Sequence, residues 1–238
     1  MKKLKIGIIG VGRLGYEHAC NIANRVPGSE LVAIADANFD RAKQVAEELG
    51  VTAVYNDPKA LCADPNVEAV AIITNTASHV EMIKIAMDAG KHVFCEKPLA
   101  DTVEKCKEAE AIIAAHPELT FMLGFMRRYD HSYQVAKKKM ENGDIGDVIL
   151  VRCYSQDPIS IIEGTLEYAP RSGGQFIDMS IHDFDLIRWL TGSEVKELWA
   201  TGGCYEFKQY KDWDDGDNVS GLMKMENDAM AFFFAGRA

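Results

Sequence analysis

Apolar and polar positions follow two rhythms along the first half of the chain. Continuous apolar runs at Leu4–Ile9, Leu31–Ala35, Ala69–Ile73, His92–Cys95 and Thr120–Leu123 predict strands. The segments between them, Leu14–Arg25, Asp40–Leu49, His79–Ala89 and Val103–Ala115, repeat their apolar residues with helical period. Strands apolar on both faces and separated by helices predict a parallel sheet covered on both sides. Gly50 and Gly90 stand just past two of the helices, where a C-terminal cap is expected.

The pattern changes after about Phe125. It predicts a helix over Ser132–Glu141 ending at "NGDIGD", a longer strand over Val148–Gln156, and an irregular stretch from Asp157 to Ser172. A helix through "GGQFIDMSIHDFDLIRWLTG" is stopped by Gly192, and strands follow at Glu197–Phe207, Asn218–Met225 and Ala229–Ala235. Two domains are expected, residues 1–125 as α/β and residues 126–238 as α+β with one sheet face covered. The apolar centre of "AMAFFFAGRA" reads as a strand that, placed at a sheet edge, needs further chain or a partner to cover it.

Composition narrows the function. Hydrophobic residues at 47% and charged residues at 26% are the globular norm, which excludes wholesale disorder. The formal net charge of -10, with "AKKKM" as the densest basic cluster, argues against a nucleic-acid partner. Six cysteines without a CxxC pair suit reduced thiols in a cytoplasmic protein better than a disulfide framework or a zinc site. The start, "MKKLKIGIIGVGRLG", resembles a secretory leader, but its apolar run is short, punctuated by glycine and closed by Arg13. No stretch approaches the roughly eighteen apolar residues of a membrane span.

The candidate chemistry begins in that same stretch. "GIIGVGRLG" sets Gly10, Gly12 and Gly15 in G-x-G-x-x-G spacing between a predicted strand and a predicted helix. Gly10 permits the tight turn, Gly12 lets backbone approach a pyrophosphate, and Gly15 brings the helix close to the strand. Asp36 closes the next strand, twenty-one residues past Gly15, where an acid accepts hydrogen bonds from the adenosine ribose. Ala37 after it favours NAD, while Arg41 keeps NADP as the minor alternative.

In "HVFCEKPLA", Lys97 follows a strand end, on the side of a parallel sheet where ligands bind. On this stretch alone an ordinary solvated lysine is the better reading; Pro98 is compatible with a cis Lys97–Pro98 bond. Asp178 and His182 are spaced i, i+4 on one helix face, which alone reads as a structural pair, with Asp183 and Asp185 solvated. Their spacing matches no strong metal-ligand motif.

Together, "GVGRLG", "CEKPLA" and "SGGQFIDMSIHDFDLIRWL" resemble the Gfo/Idh/MocA family of nicotinamide-dependent oxidoreductases. "GFMRRYDHSY", "NGDIGDV" and "DPIS" are similar to its inositol 2-dehydrogenase branch. The resemblance implies a Rossmann domain followed by a substrate domain with an open mixed sheet, through which the chain forms a homo-oligomer, a tetramer or dimer. It implies further strands and a C-terminal helix beyond Ala238. It makes Lys97, Asp178 and His182 a catalytic set that oxidises a secondary alcohol of a cyclic polyol. The expected reaction is myo-inositol to 2-keto-myo-inositol, with an aldose or other sugar as the alternative substrate.

The cofactor would lie against Gly10, Gly12, Arg13, Leu14, Gly15, Asp36, Thr74, Asn75, His79 and Glu96. Substrate would meet Lys97, Arg127, Asp157, Asp178 and His182, and no metal is expected. Ser78 reads as a helix cap, Arg128 as a surface charge, and "YKDWDDGD" as a polar lid or oligomer contact. The rival class is a non-catalytic nucleotide-binding regulator, against which the retained Lys97, Asp178 and His182 speak.

Overall fold

The computed structural model describes residues 2–237, and the chain divides between Gly124 and Phe125 into two compact units. In the first, six parallel strands lie in the order β3-β2-β1-β4-β5-β6. They are β1 (Leu4–Ile9), β2 (Ser29–Ala35), β3 (Ala53–Tyr55), β4 (Ala69–Ile72), β5 (His92–Cys95) and β6 (Phe121–Leu123). Helices α1 (Arg13–Asn24) and α2 (Phe39–Leu49) bury Ala19, Ile22, Ala42 and Val45 on one face of this sheet. The other face is covered by α3 (Pro58–Ala63), α4 (His79–Asp88) and α5 (Val103–Ala114), through Leu61, Ile83, Met87 and Ala109. Ile8 and Ile9 therefore enter different cores, as the alternation of a strand buried on both faces demands. The sequence pattern missed β3, which is only three residues long, and α3, although Asp57 caps that helix and Pro58 starts it.

The second unit carries α6 (His131–Glu141), β7 (Leu150–Gln156), α7 (Ile162–Tyr168), α8 (Ile181–Thr191), β8 (Val195–Gly203), β9 (Asn218–Met225) and β10 (Met230–Gly236). The segment expected to be irregular holds α7 and two short 3₁₀ turns, so that expectation is corrected. The sheet order is β7-β10-β9-β8, with β10 parallel to β7 and antiparallel to β9. β10 is thus interior rather than an apolar edge; among the described residues the edges are β7 and β8. One sheet face packs against α8, where the buried Phe233 receives the ring edges of Phe184 at 5.0 Å and Phe176 at 6.1 Å. Cross-strand register puts Tyr154, Trp199, Leu222, Met230, Phe232 and Phe234 together on the opposite face, and the first four are well exposed.

Helix α8 is preceded by a π-helical turn, Phe176–Ser180, instead of a uniform α-helix from Gly173. Gly192 ends α8 in the left-handed conformation, as expected.

Candidate functional site

In the first unit the candidate residues gather at the carboxyl ends of β1, β2, β4 and β5, beside the point where strand order reverses between β1 and β4. Gly10 turns with φ +90°, and a side chain there would begin 2.4 Å from the Ile73 carbonyl oxygen. A Cβ on Gly15 would lie 2.0 Å from the Gly10 carbonyl, so α1 packs on the turn at a distance only glycine permits. Gly12 differs, because a Cβ there meets nothing within 4 Å. It is the N-cap of α1, whose first turn holds no acidic residue and whose cap gives no side-chain acceptor. Open space at the amino end of a helix is the setting in which backbone amides hold an anion. Arg13 and Leu14 open α1 and are exposed.

Asp36 does not cap α2; Asn38 does, accepting from the Arg41 amide at 3.1 Å. The Asp36 carboxylate accepts from the Val11 amide at 2.7 Å and the Asn38 amide at 2.8 Å, which ties the β2 end to the glycine loop. Arg41 adds a second tie, donating from Nε to the Val11 carbonyl at 3.2 Å while its guanidinium lies over the Tyr16 ring.

After β4, Thr74 is half-buried and Asn75 exposed. Ser78 makes no capping bond to α4; its Oγ lies 2.7 Å from Thr74 Oγ1 and 2.8 Å from the Asn75 carbonyl, closing the turn before the helix. His79 is 1% exposed, so its ring is turned into the protein. Its Nδ1 lies 2.8 Å from the Pro98 carbonyl and its Nε2 3.3 Å from the Thr74 carbonyl. Burial pulls its pKa below the ordinary imidazole value, against the two carbonyls and Glu96. His79 thereby fastens the β5 loop to the β4 loop, a positioning role in place of the ligand contact expected from sequence.

Past β5, the Lys97–Pro98 bond is cis. Glu96 Oε2 accepts from the Lys97 amide at 3.1 Å, and Oε1 meets His18 Nε2 at 2.9 Å. Burial would push the Glu96 carboxyl up, but the His18 hydrogen bond and charge, helped by Lys97, hold it below its usual range. A Cβ on Gly124 would come within 3.1 Å of this carboxylate, so glycine leaves room for it. His18 is a contributor that the sequence reading passed over, though it lies three residues past Gly15 on the helix that the fingerprint opens.

The second unit gathers its own cluster around the π-turn and α8. Gly173 and Gly174 both have positive φ, and the Gln175 amide donates to the Asp215 carboxylate at 3.0 and 3.1 Å. Asp178 is buried in the π-turn, and His182 is half-buried with its ring 6.5 Å from that of Phe125, edge to face. Single π-turns inside helices recur at functional sites.

Arg237 Nη2 donates to Asp178 Oδ2 at 2.6 Å and Nη1 to Asp157 Oδ2 at 3.0 Å. Two residues expected to meet substrate are therefore joined by a third that the sequence did not suggest. Burial lowers the Arg237 pKa, but the hydrogen bond and charge of Asp178 and the contact with Asp157 carry the net shift upward.

Asp183 and Asp185 are buried rather than solvated, which corrects the sequence expectation. Asp183 is paired with Arg127, and Ser155 links the two, accepting from Arg127 Nη2 at 2.6 Å and donating to Asp183 at 2.9 Å. Arg128 forks onto Asp185 at 2.8 and 2.6 Å. Carboxylates inside a protein need such partners, and Arg127 stands here as the counter-ion of Asp183. The loop read as a lid is tied down: Tyr210 and Asp217 are fully buried, and the Asp217 carboxylate collects the amides of Tyr205, Glu206 and Phe207. Among the described residues no helix is long and apolar enough to cross a membrane.

Comparison with known proteins agrees with this architecture. Residues 4–125 match the model of an oxidoreductase family with an NAD-binding Rossmann fold, and residues 133–238 match the GFO/IDH/MocA C-terminal domain. The chain is 38% identical over 230 residues to the uncharacterized oxidoreductase YrbE of Bacillus subtilis, covering 97% of this chain and 66% of that protein. It is 37% identical over 234 residues to the myo-inositol 2-dehydrogenase of Thermotoga maritima, covering 95% of this chain and 66% of that protein. The chain thus spans just under two thirds of the length of these curated relatives. The crystal structure of Lactobacillus casei scyllo-inositol dehydrogenase with bound NAD(H) and scyllo-inositol superposes with a TM-score of 0.93 at 39% identity, covering 99% of this chain and 70% of that one. Both halves of the sequence match, and the chain belongs to the GFO/IDH/MocA oxidoreductase family.

Proposed function

We propose that the protein oxidises a secondary alcohol of a cyclic polyol, using NAD, with myo-inositol converted to 2-keto-myo-inositol as the leading reaction. The observation that carries this reading is the likeness to the scyllo-inositol dehydrogenase solved with both NAD(H) and scyllo-inositol bound. The residues fit a dinucleotide. The open space over Gly12 and the α1 amides suit a pyrophosphate, and the Asp36 carboxylate, already accepting two amides, suits ribose hydroxyls. Thr74, Asn75 and Glu96 belong to the same row of strand ends, where a ligand of a parallel sheet lies. A bound nicotinamide would supply the hydride acceptor.

The remaining work belongs to side chains of this protein. Lys97 stabilises alkoxide character on the substrate oxygen as the C–H bond breaks, an electrostatic contribution from a cation held by a fixed backbone. His182 takes the hydroxyl proton as general base, and Asp178 orients base or substrate. Asp157 and Arg127 are assigned to the polyol side of the second unit. The exposed apolar face of the second sheet, with Trp199, Leu222 and Tyr154, is assigned to self-association, since a monomer seldom leaves so large an apolar patch in water. The free cysteines, three of them buried, suit a reducing cytoplasmic setting.

The test is the initial rate of NADH formation with myo-inositol, scyllo-inositol, glucose and xylose, with NADP in parallel. Rapid reduction of NAD with an inositol is expected, and a sugar preferred over both inositols would reassign the substrate. Tight NAD binding with no turnover on any of the four would overturn the catalytic reading in favour of a sensor only if a longer chain were silent as well.

A further inference from the structure

We propose that Arg237 is a positioning residue of the second unit, whose guanidinium fork holds Asp178 and Asp157 in their working orientation. The inference rests on the function proposed above. Three separate segments meet at this one side chain. Asp157 follows the end of β7, Arg237 follows the end of β10, and Asp178 lies in the π-turn before α8.

Arg237 is 4% exposed, and its two terminal nitrogens go to two different carboxylates. A planar fork spanning two acceptors fixes their relative direction, which a lysine ammonium on a flexible stem does not. The backbone around it is also pinned. The Arg237 amide donates to the Asp217 carbonyl at 2.9 Å, and the Asp157 amide donates to the Gly236 carbonyl at 2.9 Å. Asp217 is itself held by the amides of residues 205–207, so the root of the arginine is anchored on a hydrogen-bonded loop.

One buried cation serves two carboxylates, those of Asp178 and Asp157. The buried Tyr210 hydroxyl stands by the same guanidinium. An acid that must orient a base or a substrate hydroxyl gains from being fixed by a partner that cannot lose its proton.

The experiment is a double-mutant cycle on polyol oxidation with Arg237→Lys, Asp178→Asn and the double variant, alongside NAD titration and thermal unfolding. Arg237→Lys is expected to lower kcat about 10- to 100-fold, as loss of an orienting partner does, with NAD affinity unchanged. In the Asp178→Asn background the same change should cost no more than about twofold, because the residue it acts through is already lost. Full multiplication of the two effects, or wild-type kcat in Arg237→Lys, would overturn the proposal.

If Arg237→Lys does not fold, Asp157→Asn tests the same geometry by freeing one arm of the fork. Its kcat loss should likewise shrink in the Asp178→Asn background, and an unchanged loss would overturn the proposal. A wild-type protein that oxidises no alcohol would instead refute the underlying function and take this inference with it. An active wild type with multiplicative variants would refute the positioning role alone.

Discussion

Gly12→Ala and Gly15→Ala separate cofactor binding from folding, although they stand three residues apart in one motif. At Gly12 the backbone has φ −62° and an added methyl meets nothing within 4 Å. Alanine therefore fits the free protein, and by restricting the unfolded chain it should leave stability unchanged or raise it by up to about 1 kcal/mol. The methyl fills the space assigned to the pyrophosphate. Displacing even one hydrogen bond to that charged group, at about 1.5–3 kcal/mol, weakens NAD by at least about tenfold.

At Gly15 the methyl would stand 2.0 Å from the Gly10 carbonyl oxygen. A close carbon–oxygen contact is about 3.3 Å, so the first turn of α1 must move by more than about 1 Å. Overpacking of this kind costs about 1–3 kcal/mol, or roughly 4 °C of melting temperature per kcal/mol in a unit of this size. NAD binding should fall as well, because the amides move with the helix. Calorimetric titration of NAD beside thermal unfolding gives both quantities. If Gly12→Ala bound NAD as tightly as wild type, the pyrophosphate would not lie over that turn. If Gly15→Ala melted with wild type, the close packing of α1 would be wrong.

Lys97→Met should lower kcat by at least about 100-fold, the loss expected when one electrostatic stabiliser of the transition state is removed, while NAD titrates as in wild type; near-normal turnover would remove Lys97 from the chemistry. Asp217→Asn should destabilise the second unit by about 2–4 kcal/mol at neutral pH, since charge-assisted bonds to buried amides are lost. Burial pushes the Asp217 carboxyl up, but those amides and Asn218 outweigh it and hold the folded pKa below the ordinary value. A depressed folded pKa stabilises above the unfolded value and is lost as pH falls through the folded one. The gap in melting temperature between wild type and variant should thus shrink below about pH 4, and a gap independent of acid would refute the account. Phe232→Glu, in the middle of the exposed sheet face, should shift sedimentation toward monomer with NAD binding intact, and an unchanged mass distribution would assign assembly to another surface.

What could be read in advance depended on whether the signal was local. Gly10, Gly12, Gly15 and Asp36 announce themselves through spacing, because one turn and one strand set their geometry. β5 and the lysine after it were likewise visible, since a run apolar on both faces has few other uses. Asp183 and Asp185 looked solvated because their counter-ions, Arg127 and Arg128, lie more than fifty residues away. Arg237 gave no signal for the same reason, being a lone cation after an apolar strand. The i, i+4 spacing of Asp178 and His182 implied a plain helix, and nothing in the pattern marks the π-turn. His79 shows the converse error: it follows a strand end in a promising loop, yet its ring turns inward to backbone carbonyls.

The interior position of β10 bears on how the second unit comes into being. Strand β7 pairs with β10, at a separation of about eighty residues, and α7, α8, β8 and β9 are all made between them. The first sheet grows mostly by strand–helix–strand steps between neighbours, with one longer closure where β4 comes back to pair with β1. In the second, β8 and β9 can form a hairpin early, but β7 waits until the strand that joins it to them has left the ribosome. Non-local pairing of this kind slows folding, because the entropy of closing the long loop is spent before the contacts form. During that wait β7 and β9 each present an unpaired edge to solvent. Chaperone dependence and aggregation during synthesis should therefore be properties of the second unit, while the first completes its own sheet.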